Sequence, residues 1–127
     1  MSNSIAPGSS ADVNVKVTAL TTNPNVPVTY KTIILKKNLV NGVNTLTQEM
    51  MSNENIKYII KYNYILGENI IVPAKCILEF DGGSIANSTE NNYTLIGTET
   101  KVVNLYNYTI FSNLTPTGIT TFTGTFI

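Results

Sequence analysis

Histidine, arginine and tryptophan are absent from this chain, and cysteine occurs once. Each absence excludes something. Without histidine the commonest general base and the commonest metal ligand are missing. Without arginine all eight cations are lysines, so no guanidinium is present to grip a phosphate or carboxylate with two parallel hydrogen bonds. Without tryptophan a frequent stacking platform for sugars and bases is missing. A single thiol, Cys76, forms no internal disulfide and supports no cysteine-rich zinc site. Charge is scarce too: charged residues make up 13% of the chain and the formal net charge is zero. Nothing in that balance draws the protein to a nucleic-acid backbone or an anionic membrane. No cofactor is implied.

What remains is apolar and uncharged polar. Hydrophobic residues make up 43% of 127 positions, enough for one domain with a packed core and too short for two. Threonine and asparagine supply the polar surface. Threonine suits pleated strands and asparagine suits turns, so the bias points to a mainly β protein with many bends. The first residues lack the basic and apolar regions of a secretory signal, and no apolar run has the length of a membrane span. The expectation is a soluble protein made in the cytoplasm.

Along the chain, residues 1 to about 11 are small and polar and read as a flexible arm. Val13, Val15 and Val17 alternate with Asn14 and Lys16, the period of an extended strand. Thr21 to Asn25 reads as a turn. Val26 to Val28 then leads into Tyr30–Leu35, with Pro27 marking an edge or irregular start. Residues 1–40 are thus expected to form an N-terminal arm with strands that anchors the protein, and residues 41–127 a β-rich domain. The one helix signal is Thr45-Leu-Thr-Gln48, which fits a capping box. It predicts two helical turns over residues 45–51 with Leu46, Met50 and Met51 toward a core.

Ile56–Tyr64 is the clearest strand, β-branched and aromatic, with Lys57 and Lys61 along one edge. Short apolar runs follow at 70–72, 76–80 and 84–86, broken by Pro73-Ala-Lys75 and Asp81-Gly-Gly83. Later runs lie at 93–96, 101–105 and 108–111. Hairpins of a sandwich and coils of a parallel β-helix both give such a pattern. Ile70-Ile-Val72 and Leu95-Ile-Gly97 are 25 positions apart, a spacing compatible with one coil.

The stretch Tyr58-Ile-Ile-Lys-Tyr-Asn-Tyr-Ile-Leu-Gly-Glu-Asn-Ile-Ile-Val-Pro-Ala-Lys-Cys-Ile-Leu-Glu-Phe-Asp-Gly-Gly-Ser-Ile-Ala-Asn87 resembles the opening coil of pectate-lyase-like β-helix proteins of gut Bacteroides and their phages. That pattern is an aromatic strand, a glycine-containing turn, I-x-V/I-P, then C/T-x-L-x-F-x-G-G-S-L/I-x-N. In it Pro73 ends a strand at a corner, and Leu78 and Phe80 point inward. Gly82-Gly83 turns the chain with positive φ, and Asn87 bonds turn backbone at the next corner. The match covers about thirty residues well and about sixty loosely. Enzymes of this fold carry many more coils with a long catalytic face. The resemblance therefore implies the start of a right-handed β-helix in a short phage structural protein. The implied role is a capsid-bound head fibre or decoration protein of a crAss-like phage, or a tail fibre or tail-spike component. Its implied partners are further copies of itself, as a trimer, and the major capsid protein or another virion protein through the N-terminal arm. A surface glycan is a further implied partner. The implied location is the virion, assembled in the host bacterial cytoplasm.

No catalytic, cofactor or metal residue is assigned. Glu79 and Asp81 are the closest carboxylates in the strand region, and spacing i, i+2 puts them on one face, as a sugar-cleaving pair requires. The favoured reading is a solvent-facing edge beside a turn; the other aspartate, Asp12, lies in the arm. Asp81-Gly-Gly83 has no following helix and no Lys-Ser/Thr, so it reads as a turn, not a phosphate loop. Cys76 lacks a base and reads as a buried, inert thiol. The Asn-x-Ser/Thr sequons at Asn87, Asn92 and Asn107 are expected by chance in such a composition. Tyr58, Tyr62, Tyr64, Tyr93, Tyr106 and Tyr108 read as core or subunit-interface residues, with a sugar-stacking surface as the alternative.

Overall fold

The computed structural model describes residues 29–124. The expectations for the arm, for the Val13–Val17 strand and for the turn after it lie outside those residues.

The described chain winds as a β-solenoid of about four turns. Its strands are β1 (Lys31–Ile34), β2 (Leu39–Val40), β3 (Val43–Leu46), β4 (Ile56–Ile60), β5 (Asn63–Leu66) and β6 (Ile70–Ile71). They continue with β7 (Ile77–Phe80), β8 (Ser84–Ala86), β9 (Leu95–Asn104), β10 (Phe111–Ser112) and β11 (Thr117–Thr123). One sheet stacks β1, β4, β7, β9 and β11 in that order, with β6 joined to the first part of β9. The other runs β10, β8, β5, β3, β2. Every pairing is parallel except the short β2–β3 hairpin. Sandwich hairpins would give antiparallel ladders, so the open alternative closes on stacked coils. Ile70 pairs with Leu95 and Ile71 with Ile96, so the 25-position spacing in the sequence is one coil. β1 lies within the expected anchoring segment and pairs with β4 in unbroken register, Lys31 with Ile56 through Ile34 with Ile59.

The core is the inside of the coil. Tyr58 and Ile60, Leu78 and Phe80, and Val102 are buried on stacked strands of the first sheet. Leu46, Tyr64, Leu66 and Ile85 meet them from the second. Phe80 packs edge-on against Phe111 across the interior, centroids 5.3 Å apart. Leu78 and Phe80 thus point inward as the strand period requires. Pro73 follows Val72, whose N–H still donates to Ile96 at 2.7 Å. Proline sits where no further ladder bond is needed.

The expected helix over residues 45–51 is not formed. Thr45 and Leu46 are strand, paired with Ile65 and Leu66. Only Gln48–Met50 turns, as a single 3-10 turn whose N-cap, Thr47, makes no side-chain capping bond. The reason lies in the next coil. The Gln48 amide accepts from Ile71 N–H at 2.7 Å and donates to Ile71 C=O at 2.8 Å, standing in for a missing strand at the edge of β6. A glutamine used there is lost to a capping box. Leu46 and Met51 are buried as expected, and Met50 is half-buried against the core.

Corners carry the remaining polar order. Asn87, 4% exposed, donates to Tyr93 C=O at 2.8 Å and to Asn113 C=O at 3.2 Å, and accepts from Tyr93 N–H at 3.1 Å. Its amide therefore ties two successive coils. At the opposite corner a Cβ on Gly83 would meet the Tyr62 carbonyl, with Tyr62 N at 2.6 Å and Ile60 O at 2.7 Å. Only glycine lets backbone pass so close to backbone.

Candidate functional site

The corner that joins the two sheets collects most of the chemistry of the described chain. β4 ends at Ile60, β7 at Phe80 and β9 at Asn104, and these three are in register. The second residue beyond each is Tyr62, Gly82 and Tyr106. Tyr62 and Tyr106 are exposed at 40% and 57%. Past the strand ends the register shifts by one: Gly82 takes φ +96°, Asn63 pairs with Ser84, and Ser84 N–H donates to Tyr62 C=O, so Gly83 lies over Tyr62.

One residue earlier in the same register stand Lys61, Asp81 and Leu105. Lys61 Nζ lies 3.2 Å from Asp81 Oδ2, and on the neighbouring row Lys57 Nζ lies 3.7 Å from Glu79. Each carboxylate is thus neutralised by a lysine one coil below. The lysines at 57 and 61 line one side of the strand as expected: Lys61 lies level with Asp81, one step past the Ile60–Phe80 pair, while Lys57, whose register partner is Ile77, reaches diagonally to Glu79. The Tyr106 hydroxyl bonds Asp81, which raises the phenol pKa above its ordinary value, and the Asp81 charge adds to it.

Below Tyr62 the corner opens into a depression of about 370 Å³ whose walls include Lys37, Leu39, Asn44, Lys61, Tyr62 and Asn63. Lys37 Nζ sits 5.0 Å above the Tyr62 ring, within cation–π range. Asn44 donates to Asn63 C=O at 2.8 Å, and Ser84 donates to the Asn63 side-chain oxygen at 2.9 Å. The floor is a hydrogen-bonded lattice of uncharged polar groups under one aromatic ring and two ammonium groups. Such a surface offers ring stacking and hydroxyl recognition.

The other tyrosines do different work. Tyr58 and Tyr64 are buried. Tyr58 exchanges hydrogen bonds with Asn53 backbone at 3.2 Å, and Tyr64 donates to Lys36 C=O at 2.8 Å. Burial raises both phenols, Tyr64 to about 12. Tyr93 and Tyr108 pack half-buried against the core. Tyr108 donates to Gly83 C=O at 2.6 Å and holds the long corner loop down. The tyrosines thus divide, with Tyr62 and Tyr106 exposed and the other four buried or half-buried.

Cys76 is fully buried, burial raises its thiol pKa, and it donates to Asn53 C=O at 3.2 Å. Of the sequons, Asn87 is inside, while Asn92, Asn107 and a fourth at Asn113 are exposed. Asp81-Gly-Gly83 is a corner turn between β7 and β8. Among the described residues no three His, Cys, Asp or Glu side chains cluster as metal ligands do, and no helix is long and apolar enough to cross a membrane. Sequence reasoning passed over Lys37, Asn44 and Asn63. They lie on three different chain segments, and no local motif joins them. No protein family, no curated protein and no solved structure matches this chain.

Proposed function

We propose that this chain is a non-enzymatic structural protein of a phage virion, a capsid-bound head fibre or decoration protein that assembles as a homotrimer. The observation that carries the non-catalytic part is the use of its reactive groups. Glu79 and Asp81 are each ion-paired to the coil below, and Cys76 is buried with its proton held. These groups hold coils together and are not presented to a substrate. The phage part rests on the resemblance of residues 58–87. A solenoid of stacked coils presents extended surfaces on which such an assembly can be built.

Light scattering on the purified chain tests the assembly. A stable trimer is the expected result, and a monomer at micromolar concentration removes the fibre reading. Deletion of residues 1–20 is expected to abolish attachment to the virion; retained attachment overturns the anchoring role of that segment.

A second reading has its own observation, the exposed Tyr62 and Tyr106, Tyr62 standing over a depression lined by Lys37, Asn44, Lys61 and Asn63. They suit contact with a surface glycan, in a tail fibre or in the binding domain of a depolymerase. Binding on a glycan array, lost in Tyr62→Ala and Tyr106→Ala, supports it. Loss of polymer viscosity on incubation supports the cleaving form.

A further inference from the structure

The N-terminal end of the solenoid combines features found nowhere else among the described residues. β1 is the terminal strand of its sheet. Leu35 N–H donates to Ile59 of β4, so by strand alternation Thr32 and Ile34 turn their N–H and C=O groups to the open side. Four of the nine large hydrophobic side chains that stand exposed in the described chain fall within ten residues here: Ile34 (54%), Leu39 (65%), Val40 (48%) and Val43 (45%). A mostly apolar depression of about 310 Å³ runs along the strand, with Ile33, Ile34, Leu35 and Met50 among its walls together with Lys36 and Lys37. Residues 29–48 hold Lys31, Lys36 and Lys37 and no carboxylate. None of these three lysines has a salt bridge among the described residues.

We infer that this end is a docking surface for an acidic, apolar strand of a different protein, added to the open edge of β1. The inference rests on the reading of the chain as an attached assembly element and names the chemistry of its attachment. Charge selects the partner. A second copy meeting this end with its own N-terminal end would bring three more lysines against it. Residues 102–127 carry no charged side chain, so a copy stacked head-to-tail offers nothing for the lysines. The segment Asp12–Val17 of the same chain has one acid and one lysine and cancels itself. An incoming strand with alternating carboxylates and apolar side chains satisfies all three features. Its backbone bonds Thr32 and Ile34, its apolar side fills the groove, and its acids meet the lysines.

The test uses the full chain and a fluorescent capped peptide of alternating Glu and Val, with its Lys–Val counterpart and phosphatidylglycerol vesicles as comparisons. The Glu–Val peptide is expected to bind at least about tenfold more tightly than the Lys–Val peptide. Its affinity is expected to fall in high salt and to fall about tenfold or more in Lys36→Glu/Lys37→Glu, with Lys101→Glu unchanged. Hydrogen exchange is expected to slow at Thr32 and Ile34 when the peptide is added. Equal binding of the two peptides overturns the inference, as does binding to vesicles alone. Protection of Thr32 and Ile34 in the free chain that vanishes on deleting residues 1–28 also overturns it, because the chain then covers its own edge. Light scattering separates this result from the assembly reading. A trimer that ignores the peptide removes the docking surface and keeps the assembly; a monomer that binds it does the reverse.

Discussion

Both ends of the described solenoid are open sheet edges, and they are finished in different ways. At the C-terminal end β11 follows β9 through two register shifts, between Thr117 and Ile119 and between Ile119 and Thr121. Gly118 has φ +73°, and a Cβ there would strike the Gly97 carbonyl. The edge is bulged, rich in threonine and free of charge. At the N-terminal end β1 pairs in unbroken register and is flanked by lysines. Bulges and lysines are two known ways to stop sheets from adding strands indiscriminately. A bulge refuses every strand by shape. Lysines refuse only strands of the wrong charge. Among the described residues one end of the solenoid is thus bulged and uncharged, and the other is regular and basic.

Damage to the core between the ends is expected to reach both of them. Phe80→Ala removes a fully buried ring that packs on Phe111 and is expected to cost about 3–5 kcal/mol in urea denaturation. If both ends support one cooperative rod, hydrogen exchange quickens at β1 and β11 together. Exchange that quickens at one end only would show that the ends fold separately. Asn87→Ala leaves the Tyr93 N–H and the carbonyls of Tyr93 and Asn113 without their partner. The expected loss is about 2 kcal/mol, with protection falling more at Phe111–Thr123 than at Lys31–Ile34.

Gly118→Ala addresses the bulged edge alone. Its positive φ and the Gly97 carbonyl together predict a loss of about 1–2 kcal/mol and faster exchange confined to Thr117–Thr123. An unchanged β11 would mean that the bulge is not what shapes this end. The smallest expected effect belongs to the N-terminal end and is read by pH. Tyr64 anchors the first coil through Lys36 C=O, and its folded pKa of about 12 lies above the ordinary 10. Below pH 10 both folded and unfolded chains keep the proton and the full stability is present. Above pH 10 the unfolded chain ionises first, so stability falls until the folded phenol also ionises near 12. At pH 11 the expected loss is about 1 kcal/mol relative to pH 8, measured by urea denaturation. In Tyr64→Phe the part of the pH dependence due to this phenol is expected to vanish.

Much of the coil was readable from local pattern, because the inside of a solenoid obeys the same period-two rule as any half-buried strand. Leu78 and Phe80 needed no tertiary information. Pro73 and Asn87 were readable for a different reason: each solves a backbone problem that arises wherever a strand meets a corner. The helix over residues 45–51 was misread because a capping box describes only its own segment. Gln48 had a better partner in Ile71, 23 residues on. The candidate site was only half legible. Its tyrosines stood out as a residue type, but nothing local told Tyr62 from Tyr64.

By itself the sequence determined the chemistry this protein lacks and the β class it belongs to, since those follow from residue types and from alternation along one strand. It also determined the inward faces, because burial drives every second side chain the same way. Stacking decided the rest. Coil length sets which residue lies above which, and it varies from 19 to 26 residues from one rung to the next. Only that register sets Gly83 over Tyr62, pairs Lys61 with Asp81, and leaves β1 as the last strand of its sheet among the described residues, beside three lysines.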